Sequence, residues 1–326
     1  MDDRSASKAR PAVTIYDVAE RAGVSASTVS RALNHPGRIS SQTTARISAA
    51  AAELGFRFNP AARTLLTGRT STIGLVLADI TNPVVFGVIR GAERAAAAAG
   101  YTLIIAESQE SGPREADTAR SLLRSVDGLV LAMTWLDDDE IRALSAEKPL
   151  VLVNRAVDGL PGAYPDVASG IGQLLDHLAA RGHDAVAYLS GPASSWMNAQ
   201  RWRALYEGAR ARSLSVFEIP IGDQTIEAGR SALERVLAAP TGVAVAYNDQ
   251  VAIGLLQQAQ AAGVSVPGEL AIVGFDDIYG STFTSPPLTT VSSPLEAVAA
   301  RAVGMLVGEA PGDAPLATGL IVRGTT

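Results

Sequence analysis

Residues 14–34 read TIYDVAERAGVSASTVSRALN, and their pattern predicts the fold of the amino-terminal part of the chain. Thr14 is placed to cap a helix, and Asp17, three residues later, suits the positive end of the helix dipole. Apolar residues then recur at helical spacing: Ile15, Val18, Ala19 and Ala22. Gly23 interrupts this pattern where a tight turn needs a positive φ. The stretch therefore predicts a short first helix that ends in a glycine turn.

A second helix is predicted over roughly residues 26–33, with Ser25 as its N-cap. Its inward-facing residues are Val29, Ala32 and Leu33. Its outward positions carry small or hydrogen-bonding side chains and one arginine: Ala26, Ser27, Thr28, Ser30 and Arg31. Such a surface suits entry into a DNA major groove. A third helix is predicted over residues 41–54, with Ile47, Ala50, Ala51 and Leu54 buried, so the segment resembles a helix-turn-helix bundle. A generic helical hairpin would share the helix–glycine–helix pattern.

Charge is distributed unevenly along the chain of 326 residues. Residues 1–69 hold ten Arg or Lys and five Asp or Glu, a net charge of +5. The whole chain carries −6, so the remainder carries −11. A basic head on an acidic body suggests that the head meets a polyanion. An ordinary solvated surface is the alternative.

The composition favours a soluble protein of two or three folding units. No apolar run approaches the roughly 20 residues of a membrane helix, and residues 1–10 are polar, unlike a signal peptide. The absence of cysteine excludes disulfides and thiolate metal sites. We therefore expect a cytoplasmic protein, associated with the nucleoid when it is bound to DNA.

Beyond residue 70, apolar strands alternate with amphipathic helices. Predicted strands lie at 72–78, 101–106, 128–131, 150–154, 185–190, 215–219, 243–246 and 270–275. Predicted helices lie at 85–99, 114–125, 138–146, 169–181, 199–212, 226–238 and 250–262. Continuously apolar strands are typical of parallel sheets that are covered on both faces. Two such blocks predict two α/β lobes with a cleft between them.

Ligands of open parallel sheets bind beyond the carboxyl ends of the strands. Polar and aromatic residues follow the predicted strands at 79–83, 133–135, 154–155, 191–196, 247–249 and 275–277. Carboxylate and amide groups pair well with hydroxyl groups, and tryptophan faces cover C–H surfaces. These residues therefore favour a polar ligand such as a sugar, although Trp135 and Trp196 could equally be packing residues.

Between head and body, Asn59 and Pro60 begin a short predicted helix that Gly68 ends. A helix of barely two turns is marginal alone, because nucleation is costly, and a segment that folds only when docked suits a switch. A plain linker, with Leu65 and Leu66 docked on the body, is the alternative.

These motifs closely resemble the lactose-repressor (LacI/GalR) family. In the head, the match extends from residues 14–34 through Arg46-Ile47 to ELGFRFNP at 53–60. In the body, the matching segments are TIGLV at 72–76, ITNP at 80–83, SVDGLV at 125–130, NDQ at 248–250, VGFDD at 273–277 and PPLTTV at 286–291. The body also resembles the periplasmic sugar-binding proteins.

The resemblance implies an all-α helix-turn-helix head, a hinge helix and a two-lobe α/β body like a periplasmic binding protein. The implied domains are a disordered tail (1–12), a DNA-binding domain (13–59), a hinge and linker (60–70), and a domain for effector binding and dimerisation (71–326). Base contacts are implied for Ala26, Ser27 and Arg31, and phosphate contacts for Thr14, Ser25, Thr28, Asn34 and Thr43. Ser25 could instead be only a cap and Arg31 only a solvated charge.

In the hinge, the resemblance implies that Asn59, Ala62 and Leu65 act in the minor groove, with Leu65 wedged between base pairs. The implied effector contacts are Asn82, Met133, Trp135, Asn154, Arg155, Trp196, Asn198, Arg201, Gln224, Asn248 and Asp276. Two departures bear on the identity of the ligand. Gln224 stands where some sugar-binding relatives carry an aromatic residue, and the loop 194–200 is about two residues longer than in the lactose repressor.

No catalytic constellation competes with this interpretation. Histidine occurs only at 35, 177 and 183, and no HExxH, Walker or GxSxG motif is present. The favoured hypothesis is a homodimeric regulator, a repressor or an activator, that needs no cofactor and binds operator DNA under the control of a sugar-like effector. The alternatives are a sugar-delivering solute-binding protein and an α/β enzyme with an accessory DNA-binding head.

Overall fold

The computed structural model describes residues 13–34, 38–56, 68–310, 312 and 314–326, without the side chain of Asn34. The predicted tail (1–12) and the predicted hinge helix before Gly68 lie outside these residues. The chain divides between Gly68 and Arg69 into two compact units. We call them the head and the body and describe each by itself.

The head contains the expected helices: α1 (Ile15–Ala22), α2 (Ala26–Asn34) and α3 (Ser41–Leu54). Its core consists of small and branched apolar side chains: Val18, Ala19, Ala22, Val29, Ala32, Ile47 and Ala50. The prediction that Leu33 faces inward is wrong, because this side chain is 36% exposed. Ala32 fills the buried position one turn after Val29, so Leu33 lies at the margin of the apolar stripe.

Local capping explains where the helices of the head begin and end. The Asp17 carboxylate accepts hydrogen bonds from the backbone N–H and the hydroxyl of Thr14, both at 2.7 Å. These bonds lower the pKa of Asp17. Gly23 ends α1 with a φ of 64°, a conformation that glycine adopts at little cost. The predicted glycine turn is therefore present.

The first lobe of the body is a parallel sheet covered by helices. Its strands are β1 (Thr72–Leu77), β2 (Thr102–Glu107), β3 (Gly128–Ala132), β4 (Leu150–Val153) and β5 (Gly162–Ala163), in the order β2-β1-β3-β4-β5. Its helices are α4 (Val85–Ala98), α5 (Gly112–Leu123) and α6 (Asp138–Glu147). Successive residues of a strand enter opposite cores: Leu75 and Leu77 lie in one, and Val76 lies in the other.

The second lobe repeats this architecture with the strand order β11-β10-β9-β8-β6-β7. Its strands are β6 (Ala185–Ser190), β7 (Ser215–Pro220), β8 (Val243–Ala246), β9 (Ala271–Asp276), β10 (Thr289–Ser292) and β11 (Gly319–Ile321). Its helices are α7 (Val167–Ala180), α8 (Trp196–Ala211), α9 (Ile226–Ser231), α10 (Leu233–Ala238) and α11 (Asp249–Ala261). The helix predicted over 226–238 is thus interrupted at Ala232. Only β11 pairs antiparallel with its neighbour among the described strands.

The carboxyl-terminal part of the body corrects the sequence-based picture of two consecutive blocks. Helix α12 (Leu295–Leu306), to which no prediction was assigned, returns to the core of the first lobe through Leu295 and Val298. Gly91 of α4 permits the contact, because a Cβ there would lie 2.1 Å from the carbonyl oxygen of Glu296. The chain then returns to the second lobe as β11. Both lobes are therefore completed by segments distant in sequence.

No helix in the described part of the chain is both long and apolar enough to cross a membrane.

Candidate functional sites

The exposed side of α2 carries the residues predicted to read bases. Ser27 and Arg31 are exposed and lie one helical turn apart, so they share a face. No ion pair engages Arg31 within the described residues. Arg21, in contrast, is 2.7 Å from Glu53. Ala26 is half-buried and packs against the core of the head.

The residues predicted to contact phosphate cluster where helices begin. Ser25 lies just before α2, and its Oγ accepts from the backbone N–H of Thr28 at 3.2 Å and lies 2.8 Å from the Thr28 hydroxyl. Thr43, in the first turn of α3, donates its backbone N–H to the Oγ of Ser40 at 3.3 Å. With Thr14 before α1, these hydroxyls surround helix N-termini, which attract anions through free N–H groups and the helix dipole.

Other predicted DNA contacts cannot be placed. Asn34 ends α2, but its side chain is not described. Asn59, Ala62 and Leu65 lie outside the described residues.

In the body, the carboxyl ends of the parallel strands of both lobes face one cavity of about 70 Å³. Almost all of the predicted effector residues line it: Asn82, Met133, Trp135, Asn154, Arg155, Trp196, Arg201, Gln224, Asn248 and Asp276. In this conformation the volume has room for a few water molecules. The cleft is therefore nearly closed.

Asn198 is the exception, since it is not among the residues that line the cavity. Its side chain is buried, and its Oδ1 accepts from the Tyr188 hydroxyl and from the backbone N–H of Gly191, both at 3.0 Å. Asn198 thus anchors the turn after β6 behind the cavity wall.

Backbone strain is concentrated at the edge of the cavity. Met133 follows β3 with a φ of 56°, and Asn154 follows β4 with a φ of 58°. Asp276 ends β9 with a φ of 100°. Glu110, beyond β2, has a φ of 55°. Left-handed conformations of non-glycine residues cost on the order of 1–3 kcal/mol each and cluster at functional sites. The strained backbone directs side chains from the ends of separate strands into the cavity.

A buried ion pair forms part of the cavity wall in the second lobe. Nη2 of Arg201 lies 2.5 Å from Oδ1 of Asp276, and the Arg201 guanidinium carbon lies 3.9 Å from the centroid of the Phe275 ring. Burial raises the pKa of Asp276, and the guanidinium beside it opposes that rise. Burial also works against the charge of Arg201, but Asp276 and two tyrosines outweigh it, so its pKa is raised. Arg201 therefore keeps its charge.

Several polar atoms near the cavity are buried without a hydrogen-bond partner: Asn154 Oδ1, Arg155 Nε and Arg201 Nε. Buried polar groups are nearly always satisfied in folded proteins, and exceptions call for an explanation. Unmet donors and an unmet acceptor suit a ligand that both donates and accepts hydrogen bonds.

The sequence analysis missed Glu110, which also lines the cavity. Nε2 of Gln224, from the second lobe, donates to Oε1 of Glu110, from the first. Nδ2 of Asn248 donates to the Gln224 carbonyl oxygen at 3.1 Å. This chain of hydrogen bonds spans the cleft. The strand-end rule would have found Glu110 if it had been applied to β2 as well.

Two features lie outside the cavity. Phe86, Tyr279 and Phe283 form an exposed group, which we call the aromatic patch, with ring centroids 6.0 Å and 5.7 Å apart in successive pairs. Asp249 is fully buried at the start of α11 and accepts hydrogen bonds from the Ile278 N–H and the Ser281 hydroxyl, which belong to the segment that carries Tyr279. Burial raises the pKa of Asp249 to about 7.

Comparison with known proteins identifies the family. Residues 14–59 match the bacterial regulatory proteins of the lacI family, and residues 175–326 match a periplasmic binding protein-like domain. The HTH-type transcriptional repressor CytR of Escherichia coli (strain K12) is 31% identical over 337 residues, which cover 98% of each chain. The chain belongs to the lacI family. The ribose operon repressor of Bacillus subtilis (strain 168) is also 31% identical, over 90% of this chain and 91% of its own.

Solved structures of the Lac repressor and of another transcriptional regulator agree with this assignment. The Lac repressor dimer bound to operator and the anti-inducer ONPF superposes with a TM-score of 0.82 at 26% identity, covering 96% of this chain and 99% of its own. The complex of the regulator CelR with cellobiose gives a TM-score of 0.70 at 26% identity, covering 96% and 100%. This member of the lacI family is a DNA-binding transcriptional regulator. The two relatives named above are transcriptional repressors, which confirms the prediction that the chain is not an enzyme.

Proposed function

We propose that the chain is a homodimeric repressor that binds a specific operator through its head and changes its operator affinity when a sugar or sugar-like effector occupies the cleft. The observation that carries the proposal is the presence, in one chain, of an exposed Ser27–Arg31 face and a polar cavity at the strand ends of the body. A relative named for the ribose operon and another solved with cellobiose support a sugar as effector. The protein acts in the cytoplasm, where its DNA is.

At the operator, α2 lies in the major groove, where Arg31 makes a bidentate contact with guanine and Ala26 and Ser27 approach neighbouring bases. The helix-terminal groups hold phosphates and set the register without reading sequence: Thr14, Ser25, Thr28, Asn34 and Thr43. Arg31 supports this assignment because it is exposed and extends from the same face as Ser27.

The hinge joins head to body in this proposal. Residues 13–59 form the DNA-binding domain, residues 60–70 the hinge and linker, and residues 71–326 the domain for effector binding and dimerisation. Asn59, Ala62 and Leu65 contact the minor groove, and Leu65 is inserted between base pairs. Unstacking a base step costs a few kcal/mol, which the additional contact surface offsets.

The effector lies in the cleft, in contact with the predicted residues that line it. The unpartnered Asn154 Oδ1 and Arg155 Nε support this placement, because a hydroxyl group would satisfy either of them. Entry requires the nearly closed cleft to open, so binding is coupled to the relative position of the lobes. An effector shifts the equilibrium only by its different affinity for the two states, typically 1–3 kcal/mol.

The aromatic patch is the proposed dimer contact. Tyr279 is 61% exposed and Phe283 76% exposed, and exposed aromatic clusters commonly mark protein interfaces. A dimer would match a near-palindromic operator, with half-sites spaced by the two-fold axis.

The test is fluorescence anisotropy with a labelled duplex from the region upstream of the chain's own gene, with a shuffled duplex as control. A regulator of this kind binds the upstream duplex more tightly. Its log affinity should fall with log salt by about 0.9 for each phosphate that it neutralises. Addition of a panel of sugars should change the affinity for the upstream duplex. Undetectable binding, or equal affinity for the shuffled duplex at every salt concentration, would contradict the proposal.

A further inference from the structure

Glu110 projects a carboxylate into the cleft from a strained backbone. It lies beyond β2 in a loop where Gln109 and Glu110 have φ values of 53° and 55°. Neither residue is glycine, so the surrounding structure must hold this conformation against its cost. The strain fixes the direction of the Glu110 side chain, which meets Gln224 of the opposite lobe.

The cationic side chains that line the cavity are already neutralised. Arg201 is paired with Asp276 at 2.5 Å, and Arg155 is paired with Asp138 at 2.7 Å. Within the described residues, Glu110 forms no salt bridge, and its carboxylate accepts a hydrogen bond only from the side-chain amide of Gln224. Among the described residues, the Glu110 carboxylate therefore lacks a cationic partner beside the cavity. So does the Asp79 carboxylate, which accepts hydrogen bonds from Thr81.

The surroundings of Glu110 are acidic. Asp79 lines the same cavity, and Asp223 precedes Gln224. The pKa of Glu110 is raised, first by burial and further by the negative charges of Asp79 and Asp223. A phosphate or carboxylate on a ligand would add another negative charge at this place.

A second observation points to a ligand with hydrogen-bond donors. Asn154 is 6% exposed and lines the cavity, and its Oδ1 accepts no hydrogen bond. Asn154 Oδ1 and the Glu110 carboxylate are both acceptors, on different strand ends of the first lobe. A ligand that spans them must present donor groups to both.

We infer that Glu110 is a specificity-determining residue of the cleft, which selects a polyhydroxylated ligand without phosphate or carboxylate. A ligand hydroxyl replaces the Gln224 amide as donor to Glu110, and another donates to Asn154 Oδ1. Phosphorylated forms of the same sugar are rejected by the charges of Glu110 and Asp79. The inference rests on the proposed function, since it assumes that the cleft binds the effector.

The test is isothermal titration of the full-length protein with matched pairs: D-ribose and ribose 5-phosphate, and D-glucose and glucose 6-phosphate. The wild-type protein should bind the neutral member of at least one pair about ten-fold or more tightly than its phosphate. Glu110→Gln should weaken neutral binding about five-fold or more, because hydrogen bonds to an ionised acceptor are about twice as strong as neutral ones. Glu110→Gln should also lower the ratio of the affinity for the neutral sugar to the affinity for its phosphate. Glu147 is an exposed glutamate of the same lobe, and Glu147→Gln is the matched control. It should change neither the affinity for the neutral sugar nor the ratio of that affinity to the affinity for the phosphate.

The ratio of the two affinities separates specificity from folding, because a general loss of structure weakens both ligands alike. The inference is overturned if the wild-type protein binds no neutral sugar of the set, if it binds a phosphate as tightly as its parent sugar, or if Glu110→Gln leaves the ratio unchanged. Operator binding is measured on the same samples. If the wild-type protein does not bind the operator, the proposed function is contradicted. If it binds the operator but Glu110→Gln leaves the affinity ratio unchanged, only the role of Glu110 is contradicted.

Discussion

Arg201 and Asp276 join helix α8 to the end of strand β9 through an ion pair in which Nη2 and Oδ1 are 2.5 Å apart. The two side chains are only 5% and 7% exposed. Arg201 also donates to the backbone carbonyl of Tyr247, beyond β8, so it connects separate strand ends. Removing charges from water is costly, and the pair is stable only while both partners are present. The pair therefore fixes one wall of the cavity.

Arg201→Ala should abolish the response to effector while leaving operator binding detectable. The substitution leaves Asp276 buried without its partner, which costs about 3–5 kcal/mol of unfolding free energy for a pair of this kind. The head is a separate compact unit with its own apolar core, so DNA binding should persist. Anisotropy with and without effector, together with denaturant unfolding, measures both effects. Arg203→Ala, an exposed arginine of the same helix, is the control. A normal response from Arg201→Ala would remove this residue from the effector site.

Arg31→Ala should reduce discrimination between the operator and shuffled DNA. Loss of a bidentate contact with guanine costs about 1–3 kcal/mol at one base pair. Arg21→Ala removes the same charge from the head, but Arg21 is already paired with Glu53. The measurement compares the affinities of each variant for operator and shuffled duplexes at one salt concentration. If both variants lower the two affinities by the same factor, Arg31 contributes only charge.

Phe283→Ser should shift the protein from dimer to monomer. The side chain is 76% exposed, so its loss should leave the unfolding temperature nearly unchanged. Sedimentation equilibrium over a range of concentrations measures the change, which should be at least ten-fold in the dissociation constant if the residue is a strong interface contact. Tyr206→Ser, at a 52% exposed tyrosine of α8, is the control and should leave the dimer intact. Equal dissociation constants for the wild type and Phe283→Ser would exclude the aromatic patch as the dimer contact.

Asp249→Asn should change how stability depends on pH. Burial raises the folded-state pKa of Asp249 to about 7, above its ordinary value of 3.8. A raised carboxyl pKa contributes stability that is complete below pH 3.8 and is lost as the pH rises through about 7. The wild type should therefore lose stability relative to Asp249→Asn between pH 5 and pH 8, by up to about 1.4 kcal/mol per pH unit. Thermal unfolding of both proteins across that interval measures the difference. A difference that does not vary with pH would show that Asp249 titrates normally.

Local patterns predicted the elements of the head and most of those of the body. Thr14, Ser25 and Gly23 act on their immediate neighbours, so their roles follow from spacing alone. The prediction that Leu33 is buried was wrong because helical periodicity defines the apolar stripe of α2 but not how much of that stripe the core covers. Helix α12 was missed as a part of the first lobe, because its partner α4 lies some 200 residues earlier and only tertiary packing brings the two together.

The cavity was predictable to the extent that it follows from topology. Strand ends of parallel sheets gather at one edge, and Asn154 and Asp276 were found in this way. Glu110 lies three residues after β2, within reach of the same strand-end rule, but the direction of its side chain depends on a backbone conformation that the sequence does not reveal. The position of Asn198 behind the wall depends on hydrogen bonds with Tyr188 and Gly191 that no spacing rule predicts.

We propose that effector binding in the cleft and operator binding by the head belong to one equilibrium, so each ligand must change the affinity of the other by the same factor. The affinity of the effector is measured by titration with free protein and with protein saturated by operator. The affinity of the operator is measured with and without saturating effector. We predict that the two affinity ratios are equal and differ from one by about 5- to 150-fold, the usual range of allosteric coupling. If effector and operator both bind but neither changes the affinity of the other, so that both affinity ratios equal one, the proposed coupling is contradicted.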